Sequence, residues 1–576
     1  MSASKTTKPI ASKNCQDLKS YGFPAAKAPC DLILDFNEGQ APDVEILKHL
    51  ATLDPKILSK YSKATELEAL LAEEFGLEKE QVLITAGGDD SIDRICRSYL
   101  FPDREIVVAA PTFEMFNLFA KMTGGKSIHV PWPKGAFPTD QVLEKVNGNT
   151  GVIQVISPNN PTGAIATKED LKRISEGAGQ ALVVMDAAYG SFTETDLTEY
   201  ALTLDNVVVL QTFSKAWGMA GARLGFTMGP KEIIDNLRNI GLVFPVSSLS
   251  VQAGIYWRKA GVDFVENYVK RVRLEREDLY RRLKHLGGKP LATESNFIFS
   301  HFKDPLWVRD ALAGMGIAIR LIPSNLNFEK GIRITCPGDK QDYIRLCAAF
   351  ETILDPECIL FDMDGVLVDV SASYREAIRL TAKSYGVILQ AEEIAKAKAE
   401  EGANNDWVVT QRLLERKGVK ADLAEVTAHF EKMYHGTEEH PGLYTKETLR
   451  IDKKILDLLA ERFSLGIVTG RPRRDAERFL KISGIENYFQ AVICQEDAPQ
   501  KPDPAPVTLA MKKMGVDRAW MIGDAPDDIA AARAASVLPI GMIAPGDCET
   551  DVEDALYLKG AARVIKEFDE LKELLS

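Results

Sequence analysis

The feature that most constrains this chain is the alternation of short, almost continuously apolar runs, rich in β-branched residues, with segments of helical period. EIVVAAP (105–111), TGVIQVISP (150–158), ALVVMDAAY (181–189) and NVVVLQT (206–212) are runs of this kind. Strands of a parallel sheet covered on both faces read this way, and the helical segments supply the crossovers they need. The expected class is α/β. A second series begins late, with ECILFDMDGVLVD (357–369), FSLGIVTG (463–470), FQAVICQ (489–495) and RAWMIGD (518–524). Between the two series, DKQDYIRLCAAFETIL (339–354) reads as a closing amphipathic helix. Asp355-Pro356-Glu357 is the expected joint, because Pro356 disfavours one continuous helix across it. The expectation is a tail over 1–14, one domain over 15–354 and another over 355–576.

Composition removes several function classes. Lys and Arg number 70 against 83 Asp and Glu, a formal charge of −13, which disfavours a general binder of nucleic acid or of anionic membranes. Phosphorylated metabolites stay open, since they need only a few local cations. The eight cysteines form no C-x-x-C pair and the seven histidines no H-E-x-x-H, so neither a zinc site nor a disulfide framework is expected. No apolar stretch is long enough to span a bilayer, and MSASKTTKPIASKNC has no apolar signal core. A reduced, cytoplasmic enzyme without nucleic-acid or membrane partners is the starting expectation.

Five segments of the first series share one chemistry. In TFSKAWGMAGARLGF, Lys215 is positioned to form a Schiff base with an aldehyde cofactor, with Ser214 and Arg223 available for that cofactor's phosphate. In VVMDAAYGSF, Asp186 ends a buried strand, where it either caps the next helix or pairs with a protonated pyridine nitrogen. Tyr189 and, in SPNNPTG, Asn160 are donors for the ring's phenolic oxygen. ITAGGDDSID puts Gly87 and Gly88 at a helix start, an anion site, and APTFEMF offers Phe113 for stacking on a flat ring.

In this order the segments resemble the class I/II aminotransferases of pyridoxal phosphate (PLP) fold type I, over about residues 15–354. Among these, LKSYGFP (18–24), LDFNEG (34–39) and KYSKATELEALLAEEFGL (60–77) are most similar to histidinol-phosphate aminotransferases. The resemblance implies a large and a small domain. It makes Lys215 the Schiff-base lysine and proton shuttle, with Asp186, Asn160 and Tyr189 on the ring, Phe113 stacked on it, and Gly88, Asp89, Ser214 and Arg223 on the phosphate. Tyr61 would reach that phosphate from a neighbouring subunit, which implies a homodimer, and Tyr21 and Arg333 would bind substrate. The chain departs from the family pattern at Asn37-Glu38-Gly39-Gln40, where the family has N-E-N-P, at Phe113, where it has tyrosine, and at Asp186-Ala187-Ala188-Tyr189, where it has D-E-A-Y.

In the second series, LFDMDGVLVD puts Asp362 and Asp364 on one face of a strand end, where two carboxylates call for a cation such as Mg²⁺. IVTGRP adds Thr469, QKPDP adds Lys501, and MIGDAPDDI adds Asp524 and Asp528. This Asp…Thr…Lys…Asp order resembles the haloacid dehalogenase (HAD) superfamily, a Rossmann-like hydrolase domain, over about 357–576. The resemblance makes Asp362 the nucleophile and Asp364 the acid/base, which argues against a dehalogenase. Thr469 and Lys501 would hold the substrate's phosphoryl oxygens. The metal ligands would be Asp362, Asp364 (through its carbonyl), Asp524 and Asp528. The helical stretch at about 375–445 fits a C1-type cap, in which EGANNDWVVT (401–410) is read either as a substrate reader (Asn404, Asn405, Asp406, Trp407) or as an N-cap beside a buried Trp.

The functional expectation is therefore a bifunctional enzyme of histidine biosynthesis. PLP-dependent transamination between imidazole acetol phosphate and glutamate would be followed by Mg²⁺-dependent hydrolysis of the resulting phosphomonoester. The alternatives are an aminotransferase for another amino acid joined to a phosphoglycolate or sugar-phosphate phosphatase, or a chain in which one domain is a decayed scaffold. A phosphonate C–P hydrolase is disfavoured, because Asp364 replaces that enzyme's D-x-A pattern and Lys396 and Lys398 read as ordinary helix-face residues.

Overall fold

The computed structural model describes residues 9–10, 12–16, 18, 22, 25–324, 328–398, 400 and 405–575. The chain divides into two compact units. The first is Leu34–Pro305 and Arg320–Ile344 with Met1–Pro24; the second is Arg345–Ser576 with Ala25–Ile33 and Leu306–Ile319. The second unit thus takes in more than the 355–576 segment expected from sequence. A physical reason lies within it: Trp307 packs edge-on against Trp520 at 5.4 Å between ring centroids, and the Trp520 indole N–H donates to the Thr352 carbonyl. The helix foreseen before the joint spans Lys340–Leu354. Among the described residues, no helix is long and apolar enough to cross a membrane.

The first unit is built on a seven-stranded sheet of β1 (Val82–Thr85), β2 (Glu105–Ala110), β3 (Lys126–Pro131), β4 (Thr150–Ile156), β5 (Leu182–Asp186), β6 (Val207–Thr212) and β7 (Gly225–Met228). The order is β1-β7-β6-β5-β4-β2-β3, parallel except where β7 pairs antiparallel with β1 and β6. Alternate side chains feed two cores: Val107, Val183, Met185 and Val209 lie in one, Val108, Leu182, Val184 and Leu210 in the other. That two-sided burial is why these strands read as unbroken apolar runs. The helix α1 (Gly87–Tyr99) follows β1 directly. A smaller sheet holds β8 (Lys289–Pro290), β9 (Phe297–His301), β10 (Arg320–Ile322) and β11 (Gly331–Thr335) in the order β10-β11-β9-β8, with Arg320 opposite Arg333.

The second unit centres on a six-stranded, all-parallel sheet. Its strands are β12 (Cys358–Phe361), β15 (Ser464–Val468), β16 (Ala491–Ile493), β17 (Ala519–Gly523), β18 (Leu538–Met542) and β19 (Arg563–Ile565). The order β16-β15-β12-β17-β18-β19 makes β12 the point from which the chain runs outward in both directions. Ligands bind beyond the carboxyl ends of strands at such a switch point. A short antiparallel pair, β13 (Val368–Asp369) and β14 (Thr448–Leu449), brackets an insertion that holds four α-helices among the described residues. These are α2 (Tyr374–Ser384), α3 (Ala391–Lys398), α4 (Asp406–Arg416) and α5 (Leu423–His435). The helix α6 (Pro526–Ala534) follows β17.

Candidate active sites

In the first unit, the carboxyl ends of parallel strands converge on a cavity of about 290 Å³. The segment after β2 brings Phe113 to its lining, the turn after β4 brings Asn160, the end of β5 brings Asp186 and Tyr189, and the turn after β6 brings Ser214 and Lys215. The start of α1 contributes Gly88 and Asp89, and Arg223, Arg320 and Arg333 complete the polar wall.

The charges in this cavity oppose their ordinary states. Burial pushes the Lys215 amine down to about 8, with Arg333 and Arg223 adding repulsion. Its Nζ donates to the Phe36 carbonyl at 2.9 Å. Burial likewise pushes the Asp186 carboxyl up to about 6. Asp186 Oδ1 accepts the Ala188 N–H at 3.0 Å, so the local capping turn exists and the side chain still faces the cavity. The Ala188 N–H and the Lys215 charge offset this burial only in part, and the protonated pyridine nitrogen of PLP is a cation that would complete the compensation.

The phosphate end is shaped by glycine. Gly87 has φ +81°, and a Cβ there would lie 2.7 Å from an Arg223 terminal nitrogen; a Cβ on Gly225 would lie 2.5 Å from the Gly87 carbonyl carbon. Only glycines let Arg223 and the first amides of α1 share this corner, where an anion is favoured. Arg223 pairs with Asp89 at 3.2 Å. On the opposite side of the chemistry, the Tyr189 hydroxyl accepts the Asn37 amide N–H at 2.9 Å, and Asn160 Oδ1 accepts from Arg333 at 2.6 Å. That contact commits the Asn160 oxygen and leaves its amide nitrogen as the donor. The residues present therefore fit PLP.

In the second unit, Asp362 follows β12, Thr469 follows β15 and Asp524 follows β17. One carboxylate oxygen from each of Asp362, Asp524 and Asp528 lies within 4.8 Å of the others. Burial raises the Asp362 carboxyl to about 7, against the pull of Lys501, and Asp528 and Asp364 push it further. Asp524 is raised well above its usual range by burial and by the neighbouring acids. Lys501 donates to Asp362 Oδ1 at 2.6 Å and pairs with Asp528 at 2.5 Å. Burial alone would lower the lysine, but these two acids outweigh it and hold the amine protonated. A Cβ on Gly365 (φ +75°) would collide with the Asp524 carboxylate, so this loop position is restricted to glycine. Three clustered acids, two of them buried and bridged by Lys501, suit a hard, oxygen-seeking divalent cation.

Asp364 lies apart from that triad: its Oδ1 accepts from Arg471 Nε at 2.6 Å. The buried Thr469 hydroxyl accepts the Arg471 backbone N–H at 3.1 Å. In the helical insertion, Asn405 accepts from the N–H groups of Trp407 and Val408, which is the N-cap reading, and Trp407 is half-buried. Lys398 pairs with Asp406 at 2.9 Å. Asn404 lies outside the described residues.

Residues 34–350 match the family model of aminotransferase class I and II, more than half of the chain. This chain belongs to the class I and II aminotransferases. Residues 359–542 match the haloacid dehalogenase-like hydrolases, so the aminotransferase carries a second enzyme domain. The histidinol-phosphate aminotransferase of Dehalococcoides mccartyi is 31% identical over 323 residues, covering 53% of this chain and 88% of its own. That of Haloarcula marismortui is 31% identical over 328 residues, covering 55% and 87%. An imidazoleglycerol-phosphate dehydratase of Phytophthora nicotianae is 43% identical over 197 residues, 33% of this chain and 44% of that protein, so the chain spans less than half of this relative's length. A solved histidinol-phosphate aminotransferase from Sinorhizobium meliloti, in complex with pyridoxal-5'-phosphate, aligns with a TM-score of 0.53 at 22% identity, over 60% of this chain and 97% of that one. This likeness shows the fold: PLP fold type I.

Within the aminotransferase cavity, sequence reasoning missed Arg320 and Asn37. Arg320 sits on β10 in register with Arg333 and packs its guanidinium 4.9 Å from the Phe36 ring centre. A buried arginine inside the apolar run AIRLI was the available signal. Asn37 (φ +55°) is buried and joins Tyr189 to the Thr335 hydroxyl. The neighbouring departure from the family pattern also has a cause: a Cβ on Gly39 would collide with the Lys215 carbonyl. Tyr61 does not line the cavity; it is 79% exposed and stacks on Phe244 at 4.4 Å. Tyr21 lies outside the described residues.

Proposed function

We propose that this aminotransferase is bifunctional, converting imidazole acetol phosphate to L-histidinol phosphate at the expense of glutamate and then hydrolysing that phosphomonoester. One observation carries the reading: each unit brings a nucleophile into a buried cluster of opposing charge, Lys215 in the first and Asp362 in the second. Bound PLP supplies an electron sink for a carbanion at the substrate's Cα. Lys215 Nζ, its basicity lowered by burial, would take the Cα proton and carry it to the cofactor's aldehyde carbon. Asp186 would pair with the pyridine nitrogen and favour its protonated form. Tyr189 and Asn160 orient the ring, and Arg333 and Arg320 bind the acidic groups of the two substrates.

In the second unit, Asp362, Asp524 and Asp528 would hold Mg²⁺, whose charge would favour ionised Asp362. Asp362 attacks phosphorus and forms an aspartyl-phosphate while Asp364 gives a proton to the leaving oxygen; Asp364 then takes a proton from the attacking water. Lys501 and Thr469 bind phosphoryl oxygens, and the helical insertion excludes water. We also read the chain as a cytoplasmic homodimer. Leu58, Tyr61, Leu242, Val243 and Phe244 are exposed, and such a strip would be covered by a second copy whose cavity Tyr61 completes.

Phosphate release from a substrate panel tests the pairing of the two activities. Release from L-histidinol phosphate is expected to exceed that from phosphoglycolate. Fast release from phosphoglycolate with none from L-histidinol phosphate would overturn the pairing and spare both chemistries.

A further inference from the structure

We propose that Arg471 is a positioning residue for the acid/base Asp364, and that Glu447, where the helical insertion returns to the sheet, fixes Arg471 in turn. The inference rests on the phosphatase reading above and gives a role to the arginine two residues beyond Thr469, to which the sequence assigned none.

Arg471 lies two residues beyond Thr469, on the loop that follows β15. Its backbone is fixed, since the N–H donates to Thr469 and the carbonyl accepts from Gln495 N–H at 3.0 Å. Its side chain is only 1% exposed. Nε and Nη2 reach Asp364 Oδ1 at 2.6 and 2.5 Å, while Nη1 and Nη2 reach the Glu447 carboxyl at 3.0 and 3.1 Å. Glu447 also accepts from the Ser373 hydroxyl at 3.0 Å and the Tyr434 hydroxyl at 2.9 Å. Ser373 immediately precedes α2, and Tyr434 lies near the end of α5. The guanidinium stands 5.0 Å from the Tyr374 ring centre. A continuous polar path therefore runs from Asp364 through Arg471 and Glu447 to both ends of the insertion.

Arg471 and Glu447 both give up their water here, at 1% and 3% side-chain exposure, and such burial is costly, so stability alone does not account for the arginine. Geometry offers a reason. Both contacts to Asp364 fall on Oδ1, which fixes the carboxyl plane and assigns the proton transfer to Oδ2. A misplacement of about 1 Å in a catalytic group costs on the order of 10²-fold. Lysine cannot reproduce the fork that spans two carboxyls.

The test compares two esters that differ mainly in leaving group. Phenolate departs poorly without a proton, whereas p-nitrophenolate departs readily, so only phenyl phosphate depends strongly on the acid. The full-length chain with Arg471→Lys should lose about 30-fold or more in kcat on phenyl phosphate and less than about 3-fold on p-nitrophenyl phosphate. Glu447→Gln, which keeps a hydrogen-bonding side chain, should shift the ratio the same way by a smaller factor. Retained hydrolysis of p-nitrophenyl phosphate shows that the second unit of each variant has folded. Equal losses on both esters, or no loss on either, would show Arg471 to be structural and overturn the proposal while leaving the phosphatase reading intact. A wild-type chain that hydrolyses neither ester would defeat both.

Discussion

Replacing Lys215 with Ala is expected to reduce transamination by about 10⁴-fold or more, since one amine serves as both covalent anchor and proton carrier. Phosphate release should stay within about twofold of wild type, because the groups acting most strongly on Asp362, namely Lys501, Asp528 and Asp364, all lie in the second unit. The position is permissive for the change. Lys215 Nζ donates to the Phe36 carbonyl and lines an open cavity, so alanine opens no void in a packed core, and its cost is the loss of a charge that favours ionised Asp186. Absorbance gives an independent readout. Wild-type protein loaded with PLP should be yellow, and Lys215→Ala should lose that band even when the cofactor binds. A colourless wild-type chain that takes up no PLP would defeat the aminotransferase half.

The mirror experiment is Asp362→Asn. Phosphate release should fall by about 10³-fold or more, as an amide is no nucleophile toward phosphorus, while transamination continues. The variant should fold, because Lys501 keeps Asp528 as a partner at 2.5 Å and the buried site loses one of its mutually repelling acids. Divalent-cation affinity should weaken at the same time, since one of the three grouped carboxylates is gone. Chelation of the wild-type chain should reproduce the phosphatase defect alone. Equal loss of both activities on chelation would contradict two separate sites.

Much of this was legible from sequence because both sheets place their working residues at strand ends. Asn160, Asp186 and Lys215 are far apart in the chain, yet each lies at or just after the carboxyl end of a parallel strand, and strand order alone brings them together. The same holds for Asp362, Thr469 and Asp524 around β12. What stayed hidden depends on contacts between distant segments. Arg320 meets Arg333 only through the register of β10 with β11, and Asn37 acquires a role only where its loop crosses Tyr189 and Thr335. Glu447 reads as a surface acid until Arg471, Ser373 and Tyr434 close around it. The reach of the second unit into Leu306–Ile319 likewise rests on two tryptophans that no local pattern pairs.

One incubation tests most directly whether a single chain performs both reactions in succession. Wild-type protein is given imidazole acetol phosphate, L-glutamate, PLP and Mg²⁺, and 2-oxoglutarate and inorganic phosphate are followed together. Both products should accumulate, with phosphate appearing after a lag and only when glutamate is present. Formation of 2-oxoglutarate without phosphate, or phosphate release equally fast without glutamate, would contradict it.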